Sequence, residues 1–241
     1  MLVQKYMSNH KKIGILGGVG PQATQFIYGK ILELSQSKYG AKNNNDYPQM
    51  IIESVPIPDF ISDTSQIEIV KEMLIKSTQS LIAAGATRIC VASNTVHILL
   101  DELQSTTEVG FISMIELVAK KCVERGLKKV GLLGTPVLIK SGLYDQGLKR
   151  NGVALILPTQ NEVAVADSII RAVLAGQKTF DKKQEYIGIL NDLLNRGAQA
   201  IILGCTELPL AINYEALGNK TISSDEVLAE GIVDYYYGSK G

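Results

Sequence analysis

The sequence predicts an α/β fold made of two similar parallel-sheet domains that face each other about a pseudo-twofold axis. Three observations carry this. Short apolar runs alternate with longer amphipathic segments. The runs are apolar on both faces, as strands covered by helices on both sides must be. The second half of the chain also repeats the first.

The first run, KIGILG at 12–17, leads into a glycine-rich turn. Further strands are expected over 50–55, 88–92 and 109–112, then over 129–134, 153–157, 200–204 and 220–222. Between them, 67–84 sets Ile69, Val70, Met73, Leu74 and Leu81 three and four residues apart, which is a helical stripe. Segments 162–175 and 184–195 carry similar stripes, and Cys122 falls in a helix with Val118 and Val123. Strands separated by helices form parallel sheets.

The repeat is visible residue by residue. KKIGILGG at 11–18 matches KKVGLLGT at 128–135, AGATRICVAS at 84–93 matches RGAQAIILGC at 196–205, and 112–116 matches 222–226. A period this long belongs to duplicated domains, not to a solenoid. Residues 1–115 with a returning C-terminal helix in 222–241 are expected to form the N-terminal domain, and 116–221 the C-terminal one. Open α/β sheets bind ligands outside the carboxyl ends of their strands. Facing domains therefore share one cleft, and the repeat sets Ser93 opposite Cys205, each just past a strand.

Composition narrows the function. The 241 residues carry 24 Lys+Arg and 24 Asp+Glu, a balance that argues against a nucleic-acid or anionic-membrane binder. No apolar stretch approaches the ~20 residues of a membrane helix. The N-terminal MLVQKYMSNHKK has no apolar core or cleavage site, so it reads as a short leader and the protein as cytoplasmic. Cys90, Cys122 and Cys205 are scattered without metal-site spacing, so no metal is expected. Residues 18–23 fit G-x-G-x-x-A, a dinucleotide signature, but the next acidic strand residue, Glu53, lies thirty residues past Ala23. A ribose-binding acid is expected about 20 residues on.

GILGGVGPQAT at 14–24, SNTVH at 93–97 and GCTEL at 204–208 together resemble the aspartate/glutamate racemase family, over about residues 12 to 235. The resemblance implies a cofactor-independent racemase in which two cysteines work on opposite faces of the α-carbon. That proton is weakly acidic, so the site must hold acid and base in place and stabilise carbanion charge. Cys205, next to a helix start, matches one catalytic thiol. Ser93 stands where the family has the other, and a hydroxyl without a neighbouring base is a far poorer acid–base group. Cys90, three residues earlier in its strand, faces the other way and is core.

The same resemblance assigns substrate contacts. Asn94 and Thr95 match carboxylate-binding positions, and Thr206 mirrors them from the second half. Val19 and Gly20 in the glycine turn, with Thr135 at the matching turn of the repeat, border the substrate. Glu207 faces the amino group or steadies its motif, Lys178 is the candidate cation, and His97 tunes a partner or meets solvent. Where the aspartate-specific members read IPDR, this chain reads Ile57-Pro58-Asp59-Phe60, and phenylalanine makes no ion pair. The expectation is a pyridoxal-phosphate-independent homodimeric racemase of a small acidic amino acid or dicarboxylate, slow or one-sided because of Ser93. A single-cysteine decarboxylase of the same fold and a weakened ligand-binding homologue are the alternatives.

Overall fold

A computed structural model describes residues 11–61, 63–177, 180–211 and 218–238, with Phe180 and Leu210 described by backbone alone. The expected α/β architecture is what the chain adopts. Strands β1 (Lys12–Gly17), β2 (Gln49–Ser54), β3 (Arg88–Val91) and β4 (Phe111–Ile112) form one sheet in the order β2-β1-β3-β4. Strands β5 (Lys129–Leu133), β6 (Ala154–Ile156), β7 (Ala200–Leu203) and β8 (Thr221–Ser223) form the other in the matching order β6-β5-β7-β8. Every pairing is parallel, with Ile15 opposite Cys90 and Leu132 opposite Ile202. In each sheet the chain turns back between the two central strands, so β1/β3 and β5/β7 are the switch points where ligands bind.

The described helices are α1 (Pro21–Tyr39), α2 (Ile67–Ala83), α3 (Leu100–Ser105), α4 (Met114–Glu124), α5 (Pro136–Ser141), α6 (Leu143–Arg150), α7 (Gln160–Leu174), α8 (Lys183–Asn195), α9 (Leu208–Ala211) and α10 (Ser224–Tyr237). The three stripes read from sequence are α2, α7 and α8. In α2 the stripe is right at Val70, Leu74 and Leu81, whereas Ile69 is 51% exposed. Val123 likewise faces solvent while Val118 and Cys122 are buried. The longest helix, α1, shows no clear stripe because its buried row, Ala23, Ile27, Ile31 and Ser35, mixes large with small and polar residues. Proline in its first turn starts it. Gly40, left-handed at φ 71, ends it, with Gly40 and Ala41 N–H donating to the Gln36 and Ser35 carbonyls.

The sheets exchange helices. Helix α4 follows β4 of the first sheet, yet Ile115, Val118, Ala119 and Cys122 pack with Val130, Leu132, Ala200 and Ile202 of the second. Helix α10 follows β8 of the second sheet, yet Leu228, Ala229, Ile232 and Val233 pack with Ile13, Ile15, Cys90 and Ala92 of the first. Each begins at a serine cap, Ser113 and Ser223, accepting from the N–H of Glu116 and Glu226. Burying each Leu, Ile or Val in this way contributes roughly 1.5–3 kcal/mol.

Cys90 and Cys122 belong to these cores. Cys90 Sγ lies 3.7 Å from the Gly14 carbonyl, and burial pushes its pKa up to about 12 and that of Cys122 to about 11. Among the described residues no helix is long and apolar enough to cross a membrane, and no group of three His, Cys, Asp or Glu residues is placed to hold a metal ion.

Candidate active site

Four strand ends meet at one cavity of about 50 Å³, several times the space one water needs. From the end of β1 come Val19 and Gly20, from β3 Ser93, Asn94 and Thr95, from β5 Thr135, and from β7 Cys205, Thr206 and Glu207. The glycine turn is shaped for this meeting. Gly20 has φ 82, and a Cβ there would collide with Glu207 Oε1. Gly18, at φ 84, donates its N–H to Thr24 Oγ1 at 3.0 Å, which holds the turn against α1.

Cys205 is buried and its thiol donates to Glu207 Oε2 at 3.0 Å. Thr206 Oγ1 donates to the same oxygen at 2.7 Å, while Glu207 Oε1 is buried without a partner among the described residues. The sequence suggests that a helix start favours the thiolate. The structure corrects this, because the thiol donates to a carboxylate, whose charge opposes the thiolate. Burial first, then the Glu207 charge and hydrogen bond, push the Cys205 thiol well above its usual value. At rest Cys205 is a protonated thiol beside the oxygen that can take its proton.

Ser93 is held by a relay through His97. The Met114 N–H at the start of α4 donates to His97 Nε2 at 3.0 Å, so Nδ1 carries the ring proton and donates to the Ser93 carbonyl at 2.7 Å. Burial lowers the His97 pKa to about 4. His97 is therefore a neutral brace for the Ser93 backbone and does not meet solvent.

The Asn94 side chain ties elements together. Its Oδ1 accepts from Tyr144 at 2.7 Å and its Nδ2 donates to Ser224 at 2.9 Å, which leaves one amide N–H uncommitted among the described residues. The Thr95 and Thr135 hydroxyls meet at 2.9 Å and link the strand ends of the two sheets, while Thr135 also caps α5 by accepting from Leu138 N–H.

One wall is apolar, formed by Val19, Phe60, Ile61 and Leu174. Asp59, beside Phe60, pairs at 3.3 Å with Arg171, which also binds Asp167, and the Ile61 carbonyl accepts from Val137 N–H. Among the described wall residues Glu207 alone is charged. Lys178 lies outside the described residues. Ile61 and Leu174 escape a sequence reading because they sit on a loop and at a helix end that no motif marks. The buried polar trio Tyr144, Ser224 and Asp225 does too, although the repeat holds a signal, since Ser224 and Asp225 replace Met114 and Ile115 of the first half.

Comparison with known proteins gives consistent relatives. The profile of the Asp/Glu/hydantoin racemase family matches residues 16–230. The broad specificity amino-acid racemase RacX of Bacillus subtilis is 30% identical over 224 residues, 93% of this chain and 97% of that protein. A crystal structure of an aspartate racemase homologue from Pyrococcus horikoshii superposes with TM-score 0.78 at 32% identity, covering 94% of this chain and 99% of that one. The aspartate racemase of Picrophilus torridus superposes with TM-score 0.80 at 26% identity, covering 94% of each.

Proposed function

The chain belongs to the Asp/Glu/hydantoin racemase family, and from that premise we propose that it racemises free α-amino acids through the proton of Cys205. The observation that carries the reading is one cavity lined by a thiol, Cys205, and a hydroxyl, Ser93, from corresponding strand ends of the two sheets. The Glu207 carboxylate takes the thiol proton, and the thiolate takes the α-proton. The electron pair left on carbon spreads into the substrate carboxylate, which the Thr95 and Thr206 hydroxyls and the free Asn94 N–H stabilise. Return of a proton from Cys205 regenerates the starting enantiomer, and transfer of the Ser93 hydroxyl proton to the opposite face inverts it, after which solvent reprotonates the Ser93 oxygen and takes the proton held by Glu207. All proton transfer at the α-carbon is assigned to side chains, so the reading calls on no pyridoxal phosphate.

The apolar wall supports small uncharged substrate side chains beside the acidic ones. An acidic side chain finds its cation in Lys178. We read 1–115 with 222–241, and 116–221, as the two units on either side of the ligand, with the boundary moved past β8, because Ile222 and Ser223 pair with β7 of the second sheet, and the whole as a cytoplasmic homodimer. The test incubates single amino-acid enantiomers in D₂O and follows α-proton exchange by NMR and inversion by circular dichroism. Exchange with inversion supports the racemase. Release of CO₂ from a substituted malonate without amino-acid exchange makes this a single-thiol decarboxylase, and binding without turnover makes it a ligand-binding protein.

Two substitutions probe the walls. Exchange at the Cys205 face should outrun inversion in the wild type, because Ser93 transfers a proton slowly. Ser93→Cys puts sulfur in place of oxygen with little change of shape, and general acid–base groups are worth typically ~10²–10⁴-fold. Inversion should rise by at least about tenfold, and a flat rate would show that Ser93 is not the limiting group. Phe60→Arg should shift preference from neutral toward acidic amino acids by about tenfold, the worth of one charge-assisted contact of ~1–2 kcal/mol. Calorimetry on aspartate and alanine reads this directly, and an unchanged ratio would remove Phe60 from the substrate wall.

A further inference from the structure

Asp225, the second residue of α10, is 1% exposed, and among the described residues neither of its carboxyl oxygens has a hydrogen-bond partner. It does not line the cavity. Its chain neighbour is fully engaged, since Ser224 donates to the Leu203 carbonyl at 2.8 Å and accepts from Asn94. In the first half of the repeat the same place is held by Ile115, a core side chain. The fold thus accepts an apolar residue here, yet the second half carries an acid.

The groups that act on this acid are Glu207, from the turn after β7, and Glu226, on its own helix. Its charge in turn bears on Cys205 and on Tyr144 of α6. None of these is cationic. On the outer side, Lys30 of α1 is engaged by Glu33 and Glu226, and Lys121 of α4 by Glu230. Two neighbouring buried carboxyls do not both ionise cheaply, and the one with donors keeps the charge. Glu207 has two donors, from Cys205 and Thr206, and Asp225 has none among the described residues.

We propose that Asp225 is a positioning residue of the acid–base centre: a carboxylic acid that stays neutral beside Glu207, so that Glu207 keeps the negative charge that takes the Cys205 proton. This rests on the roles given to Cys205 and Glu207 above. Burial and the Glu207 charge push Asp225 well above the ordinary carboxylate range, in the same direction. When Asp225 finally ionises at alkaline pH, a second negative charge arrives beside the thiol and opposes its ionisation.

The test reads the acid without substrate. Infrared spectra of the wild type should keep one carboxylic-acid C=O band at about pH 7, where ordinary carboxyls with pKa ~4 are ionised, and Asp225→Asn should remove it. Iodoacetamide labelling of Cys205, mapped by mass spectrometry, should run about threefold or more faster in Asp225→Asn than in the wild type at alkaline pH, because the opposing charge is gone. Asp225→Leu, an apolar side chain like that of Ile115 at the matching place, gives the same labelling profile and guards against a poorly folded asparagine variant. A missing band in the wild type, a band that survives Asp225→Asn, or an unmoved labelling profile overturns the proposal. Lack of amino-acid turnover beside a band and profile as expected would instead overturn the racemase reading.

Discussion

Cys205→Ala is expected to lower α-proton exchange by about 10³-fold, within the typical ~10²–10⁴-fold worth of a general acid–base group. The thiol supplies both the base for one enantiomer and the returning proton, and neither remaining cysteine can replace it. Cys90 and Cys122 have no exposed surface and lie in the sheet cores. Substrate should also shield Cys205, and only Cys205, from iodoacetamide. The raised thiol pKa sets the sign of the pH dependence: labelling is slow at neutral pH and climbs as pH rises. Exchange that persists in Cys205→Ala at wild-type rates would move the chemistry elsewhere.

Glu207→Gln is expected to cost about 10²-fold in exchange at neutral pH, the lower end of the range for an acid–base group, and two opposing effects make the result specific. Glutamine removes the acceptor that takes the Cys205 proton, so the thiolate no longer forms on demand. It also removes the negative charge that raises the thiol pKa, so Cys205 ionises unaided at a lower pH. Exchange should therefore recover partly as pH rises, and Cys205 labelling at alkaline pH should exceed that of the wild type. A variant as active as the wild type at neutral pH would leave Glu207 as a wall residue. One that stays inactive at every pH, with labelling unchanged, would mean that Glu207 acts on the substrate and not on the thiol.

Much of the molecule is legible in the chain because the repeat makes each half a check on the other. The strand runs, the glycine turns and the meeting of Ser93 and Cys205 at one cavity all follow from it. The glycine and GCTEL motifs lie at strand ends, where local sequence dictates geometry. What escapes is what depends on packing between distant segments. Helix α1 buries Ala23 and Ser35 as readily as Ile27, so its apolar stripe is thin. The state of Cys205 reads wrongly from sequence because helix proximity is visible there, while the side-chain turn that brings Glu207 Oε2 to 3.0 Å is not. His97 looks like an exposed tuner until Met114, seventeen residues on, proves to own its second nitrogen.

The exchange of α4 and α10 between the sheets bears on how the protein comes into being. Helix α10 covers Ile13 and Ile15 of the first sheet, yet it is made after every other described element. During synthesis the first half emerges with that face covered only in part, by Ile27 and Ile31 of α1, and the rest waits until the end of the chain for its cover. Such long-range closure is slow and leaves apolar surface open to unwanted association. The second sheet has its cover earlier, since α4 is already made when β5 appears, yet it also waits for its last strand, β8. Folding from the ribosome thus leaves both sheets open until the end of the sequence, and the first is sealed last, by the helix that also carries Asp225.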